Sequence, residues 1–194
     1  MVFLHIVLDS PAKFEVTKTE LDNGLVTEPY VAIAHCIRAG LCVSHALRSW
    51  VRISIGFDQL GPLVLTLNPT TIRFLGTDER SILYIILRGQ HALCDRKTKV
   101  PHGITLTEES VVELLDRLLS DDYELLLPAH QSTWMKHLSR DQHLLMYCPL
   151  FEGWTQDTLS VKAHQTFSQR TRCDLSILEV VHANDAAEMV VQKD

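Results

Sequence analysis

The sequence predicts an α/β domain with a mostly parallel sheet and helices on both of its faces. Three observations predict it. Short apolar runs of strand character alternate with stretches of helical periodicity along most of the chain. The 194 residues fit one domain at about 150 residues per domain, a size that buries roughly 70% of its unfolded surface. A composition of 46% hydrophobic and 22% charged residues is that of a folded chain rather than a disordered one. No repeat, low-complexity tract or composition break marks a linker, so residues 1–194 are read as a single domain.

The elements follow in order. Residues 2–8 form an apolar run suited to a buried strand, followed by a polar stretch from Asp9 to Thr27 with Asn23-Gly24 as a turn. Pro29 fits the first turn of a helix, and Val31, Ala34, Ile37, Leu41 and His45 recur at helical spacing, which predicts a helix over 29–48. Val51, Ile53 and Ile55 alternate with Arg52 and Ser54, and Leu63, Leu65 and Leu67 repeat the pattern up to the Asn68-Pro69 turn. Ile72 to Leu75 reads as a further strand closed by Gly76. Thr77 or Asp78 then caps a helix to about Leu93.

A basic loop, Arg96-Lys97-Thr98-Lys99, precedes Pro101, Gly103 and a strand over Ile104–Leu106. Thr107 is the expected cap of the next helix, with Ser110 where a capping box would want Glu and Val111, Leu114, Leu115 and Leu118 as the buried stripe. Tyr123–Leu127 and His143–Tyr147 read as strands. Helices are expected near 156–168 and 179–192, with a short strand near 173–177 between them.

Five cysteines without a Cys-x-x-Cys pair fit a reduced, intracellular and cytoplasmic protein, with the thiols as small core residues. Ten histidines show no metal-binding spacing, so no metal is expected. No apolar run approaches the ~20 residues a membrane helix needs, and the start reads as a strand rather than a signal peptide. The net charge of -6 argues against a wholly basic nucleic-acid binder but leaves room for a local basic stripe. No Gly-x-Gly-x-x-Gly, P-loop or Gly-x-Ser-x-Gly motif occurs. Ser44-His45 cannot form a triad by adjacency, because helix neighbours point apart.

A more specific pattern lies in AHCIRAGLCVSHALRSWVRISIGF (34–57), with Ser44, His45, Leu47 and Arg48, and in RFLGTDERSILYIILRGQHAL (73–93). Pro101-His102-Gly103-Ile104 follows, and then Asp174-Leu175-Ser176-Ile177-Leu178-Glu179-Val180-Val181-His182-Ala183-Asn184. In order and spacing these segments resemble the archaeal tRNA pseudouridine N1-methyltransferases and their bacterial relatives, of the SPOUT superfamily. The likeness covers about 30–107 well and the remainder loosely. Each segment also has a plainer reading. Ser44-His45 fits a frayed helix end, Asp78-Glu79-Arg80 a charged helix start, and Ser176 a helix cap.

The resemblance implies a C-terminal trefoil knot, S-adenosylmethionine as cofactor, tRNA as partner and a homodimer, with Trp134, Phe151 and Trp154 in the half that would form the dimer contact. It implies cofactor contacts at Tyr147, Gly153, Leu175, Ser176, Leu178, His182 and Ala183. Asp78 is the expected proton acceptor and Arg80 the expected stabiliser of charge on the uracil oxygens. Arg48, Arg96, Lys97 and Lys99 are expected on RNA phosphates, and Trp154 stacked on a splayed base. The chain departs from the family at 147–154. There Tyr147-Cys148-Pro149-Leu150-Phe151-Glu152-Gly153-Trp154 replaces a glycine-rich loop whose backbone approaches the ligand. That departure equally fits a degenerate SPOUT protein that lacks the cofactor and acts as an RNA- or protein-binding subunit. A methyltransferase for another RNA and an unrelated α/β domain also remain open.

Overall fold

The computed structural model describes residues 3–10, 16–26, 28–43, 46–57, 61–94, 99–126 and 143–150, together with Val181. They form an α/β fold around a six-stranded, mostly parallel sheet. In chain order the strands are β1 (Phe3–Ser10), β2 (Cys42–Val43), β3 (Ala46–Leu47), β4 (Val51–Phe57), β5 (Val64–Leu67), β6 (Ile104–Thr107), β7 (Glu124–Leu126) and β8 (His143–Pro149). The helices are α1 (Lys18–Asp22), α2 (Glu28–Leu41), α3 (Glu79–Cys94) and α4 (Val111–Ser120). The main sheet runs β6-β5-β4-β1-β8-β7, and β2 and β3 pair by themselves as a small hairpin. Only β5 opposes the direction of its neighbours: β4, β1, β8 and β7 are mutually parallel, and β6 is antiparallel to β5.

β1 is central, with β4 on one side and β8 on the other. Its alternate side chains enter two separate cores, as the period of a strand requires. Leu4, Ile6 and Leu8 join Tyr30, Ile33 and Ile37 of α2 and Ile82 and Ile86 of α3 in the larger core. Val7 joins Val111, Leu114, Leu115 and Leu118 of α4, with Leu145 and Tyr147 of β8, on the opposite face. Helices therefore cover both faces. Gly56 lets α4 approach the sheet, because an added Cβ there would run into Val111.

Val181, helical and fully buried, belongs to the larger core. The rest of the helix expected near 179–192 lies outside the described residues. The expected helix at 156–168, the strand near 173–177 and the knotted path through 147–184 lie largely outside the described residues. Among those residues no helix is long and apolar enough to cross a membrane.

Three local expectations are corrected. The helix expected over 29–48 ends at Leu41, and the chain then turns back through the β2–β3 hairpin. Residues 72–75 form no strand. Ile72 N–H instead closes a turn on Asn68 O at 2.9 Å, and Ile72 packs so tightly against Gly103 (φ 81°) that no Cβ fits there. Ser110, not Thr107, caps α4. Its hydroxyl accepts from Glu113 N–H at 3.2 Å, while Glu113 Oε2 accepts from Ser110 N–H at 2.8 Å, a complete capping box. Helix α1, unforeseen in the polar stretch, has the same box made by Thr17 and Glu20.

The second face of β1 also carries buried polar groups. His5 Nε2 lies 2.8 Å from Ser54 Oγ, which lies 2.7 Å from Thr66 Oγ1, a chain across β1, β4 and β5. His5 Nδ1 is buried and has no hydrogen-bond partner among the described residues. Burial, and then the positive charges of Arg52 and Arg117, push the His5 pKa down from 6.5 to about 3. The ring is therefore neutral in the folded protein, whereas the unfolded chain takes up a proton below about pH 6.5.

Stability contributed by neutral His5 is full above pH 6.5 and declines as pH falls from there toward 3. Thermal melts between pH 7 and pH 4 should show an acid loss that His5→Asn reduces by about 1.4 kcal/mol per pH unit, the slope of one proton. Parallel pH profiles for the two proteins would show that His5 is not the titrating group.

Candidate functional site

In open α/β sheets, ligands bind outside the carboxyl ends of the parallel strands. Here that edge is formed by β4, β1 and β8. Ser10 is level with Phe57 on one side, and Asp9 with Pro149 on the other. The Tyr147 hydroxyl donates to Asp9 Oδ2 at 2.6 Å, with both side chains buried. Leu150 N–H donates to Asp9 O at 2.9 Å, so β8 stays fastened to β1 up to the point where the chain leaves for residue 151. Asp9 closes an apolar run at a strand end, which is the signal that marks it in the sequence. Its pairing with a residue 138 positions away is not readable there.

This geometry bears on the departure at 147–154. Tyr147 puts its ring into the core beneath α4, and Cys148 lies in the core on the other face. Neither side chain fills the space beyond the strand ends. The Tyr147 ring is equally spent on packing, so any contact it makes with a cofactor falls to its backbone. The residues expected to complete the cofactor site, Gly153, Leu175, Ser176, Leu178, His182 and Ala183, lie outside the described residues, as do Arg96, Lys97 and Trp154.

Asp78 and Arg80 stand at the start of α3. The sequence places them after a strand ending at the ligand edge, but no strand precedes them directly. The nearest, β5, is antiparallel and ends at Leu67, opposite Ile53 near the start of β4. Asp78 Oδ1 accepts from Ser81 N–H at 2.9 Å and so caps the helix. Hydrogen bonds from the Ser81 hydroxyl and N–H hold the Asp78 carboxyl below the usual carboxylate range. A general base works best with a pKa near the operating pH, and the capping bonds move Asp78 the other way. Arg80 donates through Nε to Asp22 Oδ1 at 2.8 Å, and its Nη2 lies 2.7 Å from the same oxygen. His35 Nε2 lies 2.9 Å from Glu79 Oε1, a contact the sequence did not single out.

Arg48 does not reach outward as a phosphate contact would. It is buried, and its Nη1 donates to the carbonyls of Ala39 at 3.0 Å, Gly40 at 3.2 Å and Cys42 at 3.0 Å. Arg48 N–H also donates to Leu41 O at 2.8 Å. The last carbonyls of a helix lack intrahelical partners and carry partial negative charge. A guanidinium satisfies both needs, so Arg48 finishes α2 and seats the β2–β3 hairpin against it. Lys99 is exposed. Among the described residues no group of three or more His, Cys, Asp or Glu is arranged to hold a metal ion.

Neither a family model nor a curated protein matches the chain.

Replacing Arg48 with Ala should cost about 2–4 kcal/mol of stability, because several buried carbonyls lose a charged donor. Urea unfolding checks this through a lower midpoint at unchanged m-value. A midpoint equal to wild type would return Arg48 to the surface role that the sequence implied.

Proposed function

We propose that the chain is a SPOUT-type, S-adenosylmethionine-dependent RNA methyltransferase that methylates N1 of pseudouridine in tRNA and works as a homodimer. The observation that carries this reading is the carboxyl edge of β4, β1 and β8, where Asp9, Ser10, Phe57 and Leu150 stand. β8 reaches that edge with Leu150 N–H bonded to Asp9 O, and Val181 lies in the larger core of the same sheet. Of the two segments expected at the cofactor, 174–184 resembles the family's pattern and 147–154 departs from it.

The bound cofactor would supply an electrophilic methyl group. Backbone at Gly153, Leu175, Leu178 and Ala183, with the side chains of Ser176 and His182, would hold it beyond the strand ends. The chain's own task is then to align the acceptor nitrogen, relieve it of its proton and stabilise charge on the uracil oxygens. Arg80 suits the last task. Its partner Asp22 is exposed, such surface pairs contribute at most about 1 kcal/mol, and the guanidinium can exchange Asp22 for an RNA oxygen. Asp78 suits proton removal less well, since its carboxylate is engaged in capping α3.

A second reading is a cofactor-free SPOUT protein that serves as an RNA- or protein-binding subunit. It is favoured by the ladder between β1 and β8, which continues through Pro149 where relatives carry a glycine-rich loop. Calorimetric titration with S-adenosylmethionine separates the two. The enzyme reading expects saturable binding and transfer of labelled methyl to a pseudouridine-containing tRNA. It also expects Arg80→Ala to lower turnover about a hundredfold with its melting temperature within a few degrees of wild type. Absence of cofactor binding by the wild-type protein would leave the subunit reading. Full activity of the variant would remove Arg80 from the site.

A further inference from the structure

The turn that replaces the expected strand at 72–75 carries an aromatic side chain in an unusual position. Phe74 is 95% exposed and has φ 63°, a left-handed conformation that bulky side chains rarely hold. Ile72 and Leu75 on either side of it pack against the larger core. The chain thus turns two apolar neighbours inward and holds Phe74 out.

The turn is braced from several directions. Asn68 Oδ1 accepts from Thr70 N–H at 3.2 Å and from the Thr70 hydroxyl at 2.8 Å. Asn68 O accepts from Ile72 N–H at 2.9 Å, and Asn68 N–H donates to Gly103 O at 2.8 Å. Backbone outliers held in place by a braced surrounding cluster at sites of function, where a group is presented in a fixed position.

Charge around the turn is distinctive for a chain of net charge -6. No Asp or Glu occurs between Asp58 and Asp78, and none between Asp95 and Glu108. The close contact of Ile72 with Gly103 joins these two acid-free stretches at the surface. Arg73, Lys99 and His102 are all exposed on them.

The geometry points to a binding site for an unpaired RNA base, with Phe74 as the stacking platform and Arg73 and Lys99 as contacts to the flanking phosphates. An aromatic face takes any base, and adjacent cations track the backbone, which is how single strands are held without sequence readout. A protein partner would more commonly seat on a contiguous apolar patch, whereas Phe74 is flanked in the chain by the exposed cation Arg73 and by Leu75, which packs against the core. The inference rests on the RNA-binding part of the proposed function, which the enzyme and subunit readings share.

The test is fluorescence anisotropy with a labelled hairpin RNA carrying an unpaired uridine loop, alongside calorimetry with S-adenosylmethionine and equilibrium sedimentation. Phe74→Ala and Phe74→Leu should each weaken RNA binding by about tenfold, and Phe74→Tyr should stay near wild type. Arg73→Ala should flatten the salt dependence by about one ion, whereas Phe74→Ala should leave that slope alone. Cofactor affinity should be the same in Phe74→Ala as in wild type. Wild-type affinity for RNA in Phe74→Ala would overturn the site while leaving the RNA reading intact. A wild-type protein that binds no RNA would overturn both. Loss of self-association in Phe74→Ala with RNA affinity retained would assign the residue to a protein contact and likewise overturn the proposal.

Discussion

A strand paired along both edges and covered on both faces has no side left for water, and β1 is such a strand. Apart from Phe3 its residues are all buried, with β4 on one flank and β8 on the other. Every backbone polar group on it must be paired within the sheet, and every side chain must find a partner in one core or the other. The remaining architecture answers that constraint. α2 and α3 cover one face, α4 crosses the other, and Gly56 gives up its side chain so that Val111 can reach the sheet.

Polar side chains on β1 show where the constraint is relaxed. His5 is kept neutral in a chain of hydroxyls. Asp9 sits where the strand meets the carboxyl edge and accepts from Tyr147. A buried carboxylate is tolerated only with such donors. The same bond decides what residue 147 does: its ring packs beneath α4 and its hydroxyl fixes β8 to β1.

Much of the fold was legible from period alone. The alternation in 51–57 and 63–67 and the stripe Val111, Leu114, Leu115 and Leu118 are found as strand, strand and buried helix face. Pattern failed where a single long-range contact decides. The apolar spacing of 29–48 continues past Leu41, but Arg48 folds back to bind the carbonyls at the helix end, and no window of hydropathy records that. The segment 72–75 has strand composition but no strand neighbour among the described residues, and Gly103 packs closely against Ile72. The candidate site divides in the same way. Asp78 and Arg80 were visible as a charged helix start, whereas their partners Ser81 and Asp22 were not. Asp9 is marked in the sequence only as the close of an apolar run, and Phe74 acquires its interest from exposure and backbone geometry.

The central claim is that the carboxyl edge of β4, β1 and β8 is the ligand site and that residues beyond Leu150 complete it. The most direct measurement is a crystal structure of the protein soaked with S-adenosylhomocysteine. The account predicts ligand density beyond the ends of β1 and β8, held between residues 151–154 and 175–183. Density seated away from that edge, or none at saturating ligand, would contradict it.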